Sequence, residues 1–448
     1  MYSKKEAANR AVVVGNGMAG KLAARVLSEF FDEVIVIEKD KNQKDAFARK
    51  GAPQGKQGHV LLKSGEEILE ELFPGLLKEL SQKGATLSDF AGDLTWSHHG
   101  SHKVRFESKV SISQQSRPLL EWSIQKRLET LPNIVFRYSC KVQNLLYRNN
   151  EVDRVVIEEQ NGNVTEISAD LIIDASGAAA LHTKWLKDSG FRMPAKTEIK
   201  VDLFYASMVY RKLSSKTRDW HSLLSYPAPP LLNRGGTISP LEENHMLVTL
   251  IGYGEKNVPT DRDSFLQYSK TLDEPDFFEA IKAGLLRSET VQVYRFPSMR
   301  RFHFERQNNA PSGLLVIGDA FCRVDPVFAQ GMSLAAMEAK ALRTLLSKGL
   351  SKKDLTKKFH RKVSRIVDMP WLIALTEDFR FSTTRGYKPA GLPFLQWFVK
   401  KVSLACSHDE KVYAQFIRVL HLKSHPVSLA KPSLLARIFR PTIVKPRR

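Results

Sequence analysis

The stretch Ala11-Val12-Val13-Val14-Gly15-Asn16-Gly17-Met18-Ala19-Gly20 decides the fold. Four apolar residues form a strand that runs directly into a Gly-x-Gly-x-x-Gly turn. In such a turn the first glycine makes the bend and the second lets backbone approach a pyrophosphate. The third lets the following helix sit close to the sheet. The N-terminus of that helix carries partial positive charge where phosphates must lie. A second apolar strand, Val34 to Ile37, ends on Glu38, eighteen residues after Gly20. There a carboxylate can accept hydrogen bonds from a ribose. Strand, glycines, helix and acid together predict a Rossmann-like dinucleotide site, with Met18, Ala19 and Lys39 at its edges.

Outward from this unit, residues 41 to 62 are polar and Gly-rich and read as a long loop. Ser64 to Leu80 has helical apolar spacing, split at Pro74-Gly75. Leu94 to Val110 alternates as a strand, and Arg117 to Leu131 reads as a helix. Ile134–Arg137, Val142–Tyr147, Val152–Glu158 and Val164–Ser168 read as short antiparallel strands. Leu171-Ile172-Ile173-Asp174 is a buried strand leading into Ala175-Ser176-Gly177. Alternation at Val201–Tyr205 and His245–Ile251 predicts an antiparallel sheet. Residues 351–448 read as mainly helical, with breaks at Pro370, Pro389, Pro393, Pro426 and Pro432.

A second chemical signal lies at Leu314-Leu315-Val316-Ile317-Gly318-Asp319, followed by Asp325-Pro326 and Gln330-Gly331-Met332-Ser333. A carboxylate at such a strand end can bind the ribityl hydroxyls of FAD. A helix N-terminus a dozen residues later can aim N–H groups at the pyrimidine edge of a flavin ring. The pair of signals, one at each end of the cofactor, favours FAD over NAD as the resident dinucleotide.

Composition narrows the rest. The chain has 448 residues, 42% hydrophobic, enough for a large core and more than one domain. No apolar run approaches the roughly 20 residues of a membrane span. The first strand starts within about ten residues of Met1, too soon for a secretory signal. Cys140, Cys322 and Cys406 are widely spaced, which predicts reduced thiols in a cytoplasmic protein and no metal site. The net charge of +20 suggests an acidic partner. No nucleic-acid-binding motif is present. From Lys411 to Arg448 there are nine Lys or Arg and no Asp or Glu, interleaved with apolar residues. That pattern suits peripheral contact with an anionic membrane, or else a helix whose apolar face covers the core.

These motifs resemble the FAD-dependent oxidoreductases of the p-hydroxybenzoate hydroxylase type, in particular a bacterial squalene-epoxidase-like or polyprenyl-phenol-hydroxylase-like branch. The resemblance extends over nearly the whole chain, including Gly51-Ala52-Pro53-Gln54-Gly55 and Ser116-Arg117-Pro118-Leu119-Leu120-Glu121. It implies an α/β fold: a Rossmann-like FAD-binding domain at 1–93, 113–196 and 297–350, an inserted antiparallel-sheet substrate domain at 94–112 and 197–296, and a C-terminal helical region at 351–448. Carried over by position, Gly15, Gly17, Gly20 and Glu38 hold the ADP part and Gly318 and Asp319 the riboflavin part. Pro326 and Gly331 to Ser333 form the loop over the flavin ring, and Arg117 lies close to FAD. Asp174 and Gly177 match a segment tied to both FAD and NAD(P)H, but its later Ser and Arg are absent. Electrons then come from NAD(P)H docking directly or from a separate flavin reductase.

The implied activity is monooxygenation: one oxygen atom passes from a flavin hydroperoxide to a hydrophobic aromatic or alkene small molecule. Three alternatives stand beside it: reduction of prenyl double bonds, halogenation, and action on a partner protein. A halogenase signature, Trp-x-Trp-x-Ile-Pro, is missing. Around the flavin, Arg49, Lys50, Lys56 and His59 are candidates to touch phosphate or ring, with His59 the candidate catalytic proton donor. Trp96, His98 and His99 are candidates to line the substrate pocket.

Overall fold

The computed structural model describes residues 9–49, 51–213, 219–282, 284–307 and 310–440. The strand Arg10–Val14 is buried on both faces, as its run of β-branched residues requires. It lies at the centre of a five-stranded parallel sheet in the order Leu314–Val316, Leu171–Asp174, Arg10–Val14, Glu33–Glu38, Ile134–Tyr138. Parallel pairing brings Gly15, Asp174, Glu38 and Gly318 to one edge, at the carboxyl ends where open α/β sheets bind ligands. The helices Met18–Leu27 and Gly331–Leu346 share the core with this sheet. So does a three-stranded antiparallel sheet, Lys141–Arg148, Glu151–Glu158 and Val164–Ser168.

A larger antiparallel sheet forms the second layer. Its long strand Lys196–Lys212 pairs with Gln292–Phe302 on one side and Met246–Tyr253 on the other. Arg234–Pro240 and Ser222–Ser225 follow. Leu94–His98 then adds parallel to Ser222–Ser225, and Ser101–His102 closes that edge. At the opposite edge Cys322–Arg323 pairs with Gln292–Phe302, tying the sheet to the segment after Gly318. All eight residues of Met246–Tyr253 are buried, so both faces of this sheet are covered at its middle.

Three sequence expectations need correction. Ile134–Tyr138 is a parallel edge strand, paired with Glu33–Glu38, rather than part of an antiparallel set. The strand expected through Val110 stops at His98, because His99 and Gly100 take positive φ and turn the chain. Pro370 does not break its helix: Lys352–Asp378 runs through it, held by buried Val363, Val367, Trp371 and Ala374. Pro393, Pro426 and Pro432 stand at helix starts, where a missing N–H costs nothing. The Pro74-Gly75 break is present, between helices Lys63–Leu72 and Leu76–Gln82.

Candidate functional site: a cofactor groove and an apolar cavity

The glycine turn is built for close approach. A Cβ on Gly15 would stand 2.5 Å from the Ala175 carbonyl oxygen, and one on Gly20 only 1.9 Å from that of Gly15. Gly17 differs: its Cβ would meet only an Arg49 nitrogen, at 3.9 Å, so the space beside it is open. No side chain caps the helix that starts at Met18, and its first turn holds no acid. A pyrophosphate therefore fits against Gly17 without competition.

Next to the turn, Glu38 accepts from the backbone N–H groups of Asn16 (2.8 Å) and Asp40 (3.0 Å). Arg49 bridges Glu38 and Glu121, each at 3.1 Å, and Arg117 Nε donates to Glu121 at 2.7 Å. Burial opposes charge on Glu121, but Arg117, Arg49 and Lys21 win and hold its carboxyl down to about 2. Lys21 lies beneath, donating to the Asn16 carbonyl at 2.7 Å, and burial lowers its ammonium to about 7. These groups, with Gln125 and Tyr138, line one groove. Lys39 is exposed and does not line it.

At the second strand end, Gly318 takes φ +61° and its N–H donates to Glu338 at 2.7 Å. Burial raises Asp319 above its ordinary range, against the opposing pull of Arg323, Arg117 and Arg300. Its half-buried carboxyl makes no hydrogen bond among the described residues, leaving it available to hydroxyl donors. Gly331, which opens its helix, has nothing within 4 Å of its would-be Cβ. The residues at both strand ends thus fit FAD: Gly17 would face the pyrophosphate, Glu38 the ribose, Asp319 the ribityl chain and Gly331 the ring.

Other candidates serve the scaffold. Asp174 is fully buried, and its carboxylate accepts from His182 Nδ1 (2.7 Å), His182 N (2.9 Å) and Ser176 N (3.0 Å). Burial works against its charge, but these bonds win and hold it low. His182 occupies the acid where a ligand was expected; Gly177, at φ +67°, remains half-buried beside it. Ser333 is fully buried and its hydroxyl accepts from Leu62 N, while Gly65 fits only because it lacks a Cβ toward Ser333. Met18 and Met332 are buried, Ala19 meets Gly318, and Pro326 opens a short 3-10 turn capped by Asp325. Lys56 is exposed, bonded to Gln292, and Lys50 lies outside the described residues.

His59 also needs correction as a proton donor. Burial, with Arg117 nearby, lowers its ring to about 3, so it is neutral at physiological pH. Its Nδ1–H donates to the Gln57 carbonyl at 2.8 Å, and Nε2 accepts from Arg117 at 3.1 Å. It orients Arg117 and has no spare proton. Gln57 itself is held by Ser207 and Gln292 of the large sheet, so this loop spans both layers.

Beyond the loop Val327–Gln330 lies a cavity of about 840 Å³, at the upper end of the roughly 300–1,000 Å³ of ligand pockets. Its walls are mostly apolar: Leu94, Trp96 and Leu224 from the large sheet, Leu372 and Ile373 from the long helix, Phe394, Trp397 and Phe398 from the next. Trp96 and His98 line it, and His99 stacks on His98 behind the wall. The C-terminal helices, read from sequence as core cover or membrane contact, supply much of the wall. Their apolar spacing alone does not tell a core from a cavity.

A family model described as FAD binding domain matches residues 9–368. The chain is 26% identical over 427 residues to Protein Rv3254 of Mycobacterium tuberculosis, covering 88% of this chain and 90% of that one. It is 23% identical over 348 residues to squalene monooxygenase of Mus musculus, covering 75% of this chain and 54% of that enzyme's length. Among solved structures, a flavoprotein/dehydrogenase from Cytophaga hutchinsonii superposes with a TM-score of 0.67 at 16% identity, covering 96% of each chain, a likeness of fold.

Proposed function

The chain belongs to the FAD-binding domain family and is an FAD-dependent oxidoreductase; from that premise we propose that it is a monooxygenase acting on a large apolar aromatic or alkene substrate. Bound FAD, reduced by an electron donor such as the family's NAD(P)H, supplies the activation of O₂. The protein's residues supply position and dryness. Gly17, Glu38 and Asp319 hold the cofactor, and Arg117 is fixed near it by His59 and Glu121. Apolar side chains on three sides of the cavity keep water from the reacting atoms. The observation that carries this reading is the size and apolarity of the cavity directly beyond the flavin-side loop.

The test is oxygen uptake by FAD-loaded protein with NADH or NADPH as donor. An apolar aromatic or alkene ligand should raise it, and product should carry label from ¹⁸O₂. Product formed without oxygen would favour reduction of a double bond instead. Bleaching of the flavin by dithionite but by neither nicotinamide would assign electron supply to a separate reductase, which the His182-filled Asp174 site makes attractive.

The cavity mouth favours loading from an anionic membrane. Phe394 (64% exposed) and Phe439 (45%) flank Trp397 (46%), with ring centroids 5.6 and 5.5 Å away. All three rings line the cavity, and exposed Lys400 and Lys401 follow on the same helix. An aromatic edge next to lysines suits a lipid interface. Among the described residues no helix is long and apolar enough to cross a membrane. Residues 441–448 of the basic tail lie outside the described residues.

A further inference from the structure

One part of the cavity wall is polar. His98, Tyr226 and Glu377 line it, each over nine-tenths buried. His98 Nε2, Tyr226 Oη and Glu377 Oε1 all lack a hydrogen-bond partner. They converge: the Tyr226 ring meets His98 edge-on with centroids 4.6 Å apart, and His98 Nε2 is 3.9 Å from the Glu377 carboxyl. His99 Nε2, also without a partner, is 3.8 Å from the same carboxyl.

The backbone is strained to make this cluster. Successive residues of a strand point to opposite faces. His99 takes φ +54°, rare for a residue with a Cβ, and so stacks its ring on that of His98 at 4.0 Å and 22°. Behind the rings, Lys103 Nζ donates to both oxygens of Ser403. The Ser403 hydroxyl lies 3.2 Å from His98 Nδ1, and in the tautomer where it donates there the ring proton sits on Nε2, facing the cavity.

Two histidines and a carboxylate at this spacing resemble a metal set. Charge argues otherwise. Burial first, then Arg380, Lys103 and Lys400, lower His99, and His98 moves the same way under burial, His99, Lys103 and Arg380. Three buried acids face the cluster: Glu377, paired with Arg380 at 2.9 Å, and Asp378 and Asp325, which also act on Tyr226; burial raises all three above their ordinary range. Burial raises the Tyr226 hydroxyl well above its usual range, so it remains a donor. Unpartnered Nε2 and Oη groups close to Arg380, Lys103 and Lys400, with the neighbouring acids raised by burial, suit an oxygen acceptor better than a cation.

We propose that His98, His99, Tyr226 and Glu377 form a head-group subsite that binds the single acidic oxygen group, a carboxylate or an ionised phenol or enol, of an otherwise apolar molecule whose body fills the cavity. This rests on reading the cavity as the substrate site. It narrows the substrate class from apolar molecules in general to amphiphiles with one acidic head.

The test is calorimetric titration of FAD-loaded protein with two matched pairs: dodecanoate against its methyl ester, and 4-octylphenol against 4-octylanisole. At least one acid should bind ten-fold or more tightly than its neutral partner, and which one does identifies the head. In the His98→Ala/His99→Ala double variant that preference should vanish while the neutral ligand keeps its affinity within two-fold. Unchanged FAD content and neutral-ligand affinity show that the variant is folded; the His98→Gln/His99→Gln variant, which retains donors, should keep part of the preference. Equal affinity within both pairs, or a preference that survives both substitutions, would overturn the subsite and leave the cavity reading standing. So would stoichiometric zinc lost together with the histidines. Failure of every ligand to bind folded, FAD-loaded protein would remove the cavity reading and the subsite with it.

Discussion

Arg117 Nη1 stands 3.1 Å from His59 Nε2, with the imidazole neutral and its other nitrogen bonded to the Gln57 carbonyl. A histidine so placed fixes the guanidinium on the wall of the groove proposed to hold the cofactor. His59→Ala removes the acceptor, and loss of one such charge-assisted bond is worth about 1.5 kcal/mol, or roughly ten-fold. FAD affinity, measured by flavin fluorescence on apo protein, should fall by at most about that factor, since only the part of the bond's worth realised on FAD binding enters the affinity. The pH profile of turnover between about 5 and 9 should not move, since a ring lowered to about 3 does not titrate there. A shifted acid limb would restore His59 as a proton donor.

Gly17 and Gly20 should separate binding from folding. Gly17→Ala places its methyl in open space, so apo stability should change by less than about 1 kcal/mol. FAD affinity should fall at least about ten-fold, because backbone no longer reaches the pyrophosphate. Gly20→Ala drives a methyl to 1.9 Å from the Gly15 carbonyl oxygen, and that variant should not fold. Thermal melts and flavin titration check both.

Glu338 gives a pH test. Burial raises its carboxyl to about 8, with Asp319 adding to the rise and the Gly318 N–H opposing it. The folded state then holds a proton that the unfolded state releases above about 4.5. Stability from this group is complete below that value and is lost as pH rises toward 8, at up to about 1.4 kcal/mol per pH unit. Glu338→Gln should therefore gain stability relative to the parent as pH goes from 5 to 8 in chemical denaturation. A constant difference would mean that Glu338 is ionised in the fold.

Ile373 faces the cavity from the long helix. Ile373→Trp should fill part of it, lowering affinity for neutral apolar ligands by ten-fold or more, while FAD content and melting temperature hold. Unchanged ligand affinity would place the substrate elsewhere.

At the mouth, Phe394→Ser/Trp397→Ser removes two exposed rings whose loss from a lipid interface is worth about 2 kcal/mol or more. Sedimentation with phosphatidylserine vesicles should weaken at least about ten-fold, and added salt should weaken binding of the parent. Equal binding by parent and variant would confine these rings to the cavity wall.

Local signals carried the cofactor groove. The positions of Gly15, Gly17, Gly20, Glu38, Gly318 and Asp319 at one sheet edge follow from turn geometry and strand ends, which a run of ten residues can display. The partner of Asp174 was not legible in that way. Nothing about His182 in the sequence announces that it turns its ring onto a carboxylate eight residues back. The parallel pairing of Ile134–Tyr138 was hidden for a similar reason, since strand direction depends on a neighbour distant in sequence. The cavity depends on Leu94, Leu372 and Phe394 meeting from three separate segments. Each carries the apolar pattern of an ordinary core residue. The stacking of His98 on His99 depends on one positive φ that no composition rule supplies.

The most direct measurement of the whole account is FAD stoichiometry. Purified protein, incubated with excess FAD and freed of unbound cofactor, should retain one FAD per chain with the visible absorbance of an oxidised flavin. Folded protein that stays colourless after this treatment would contradict it.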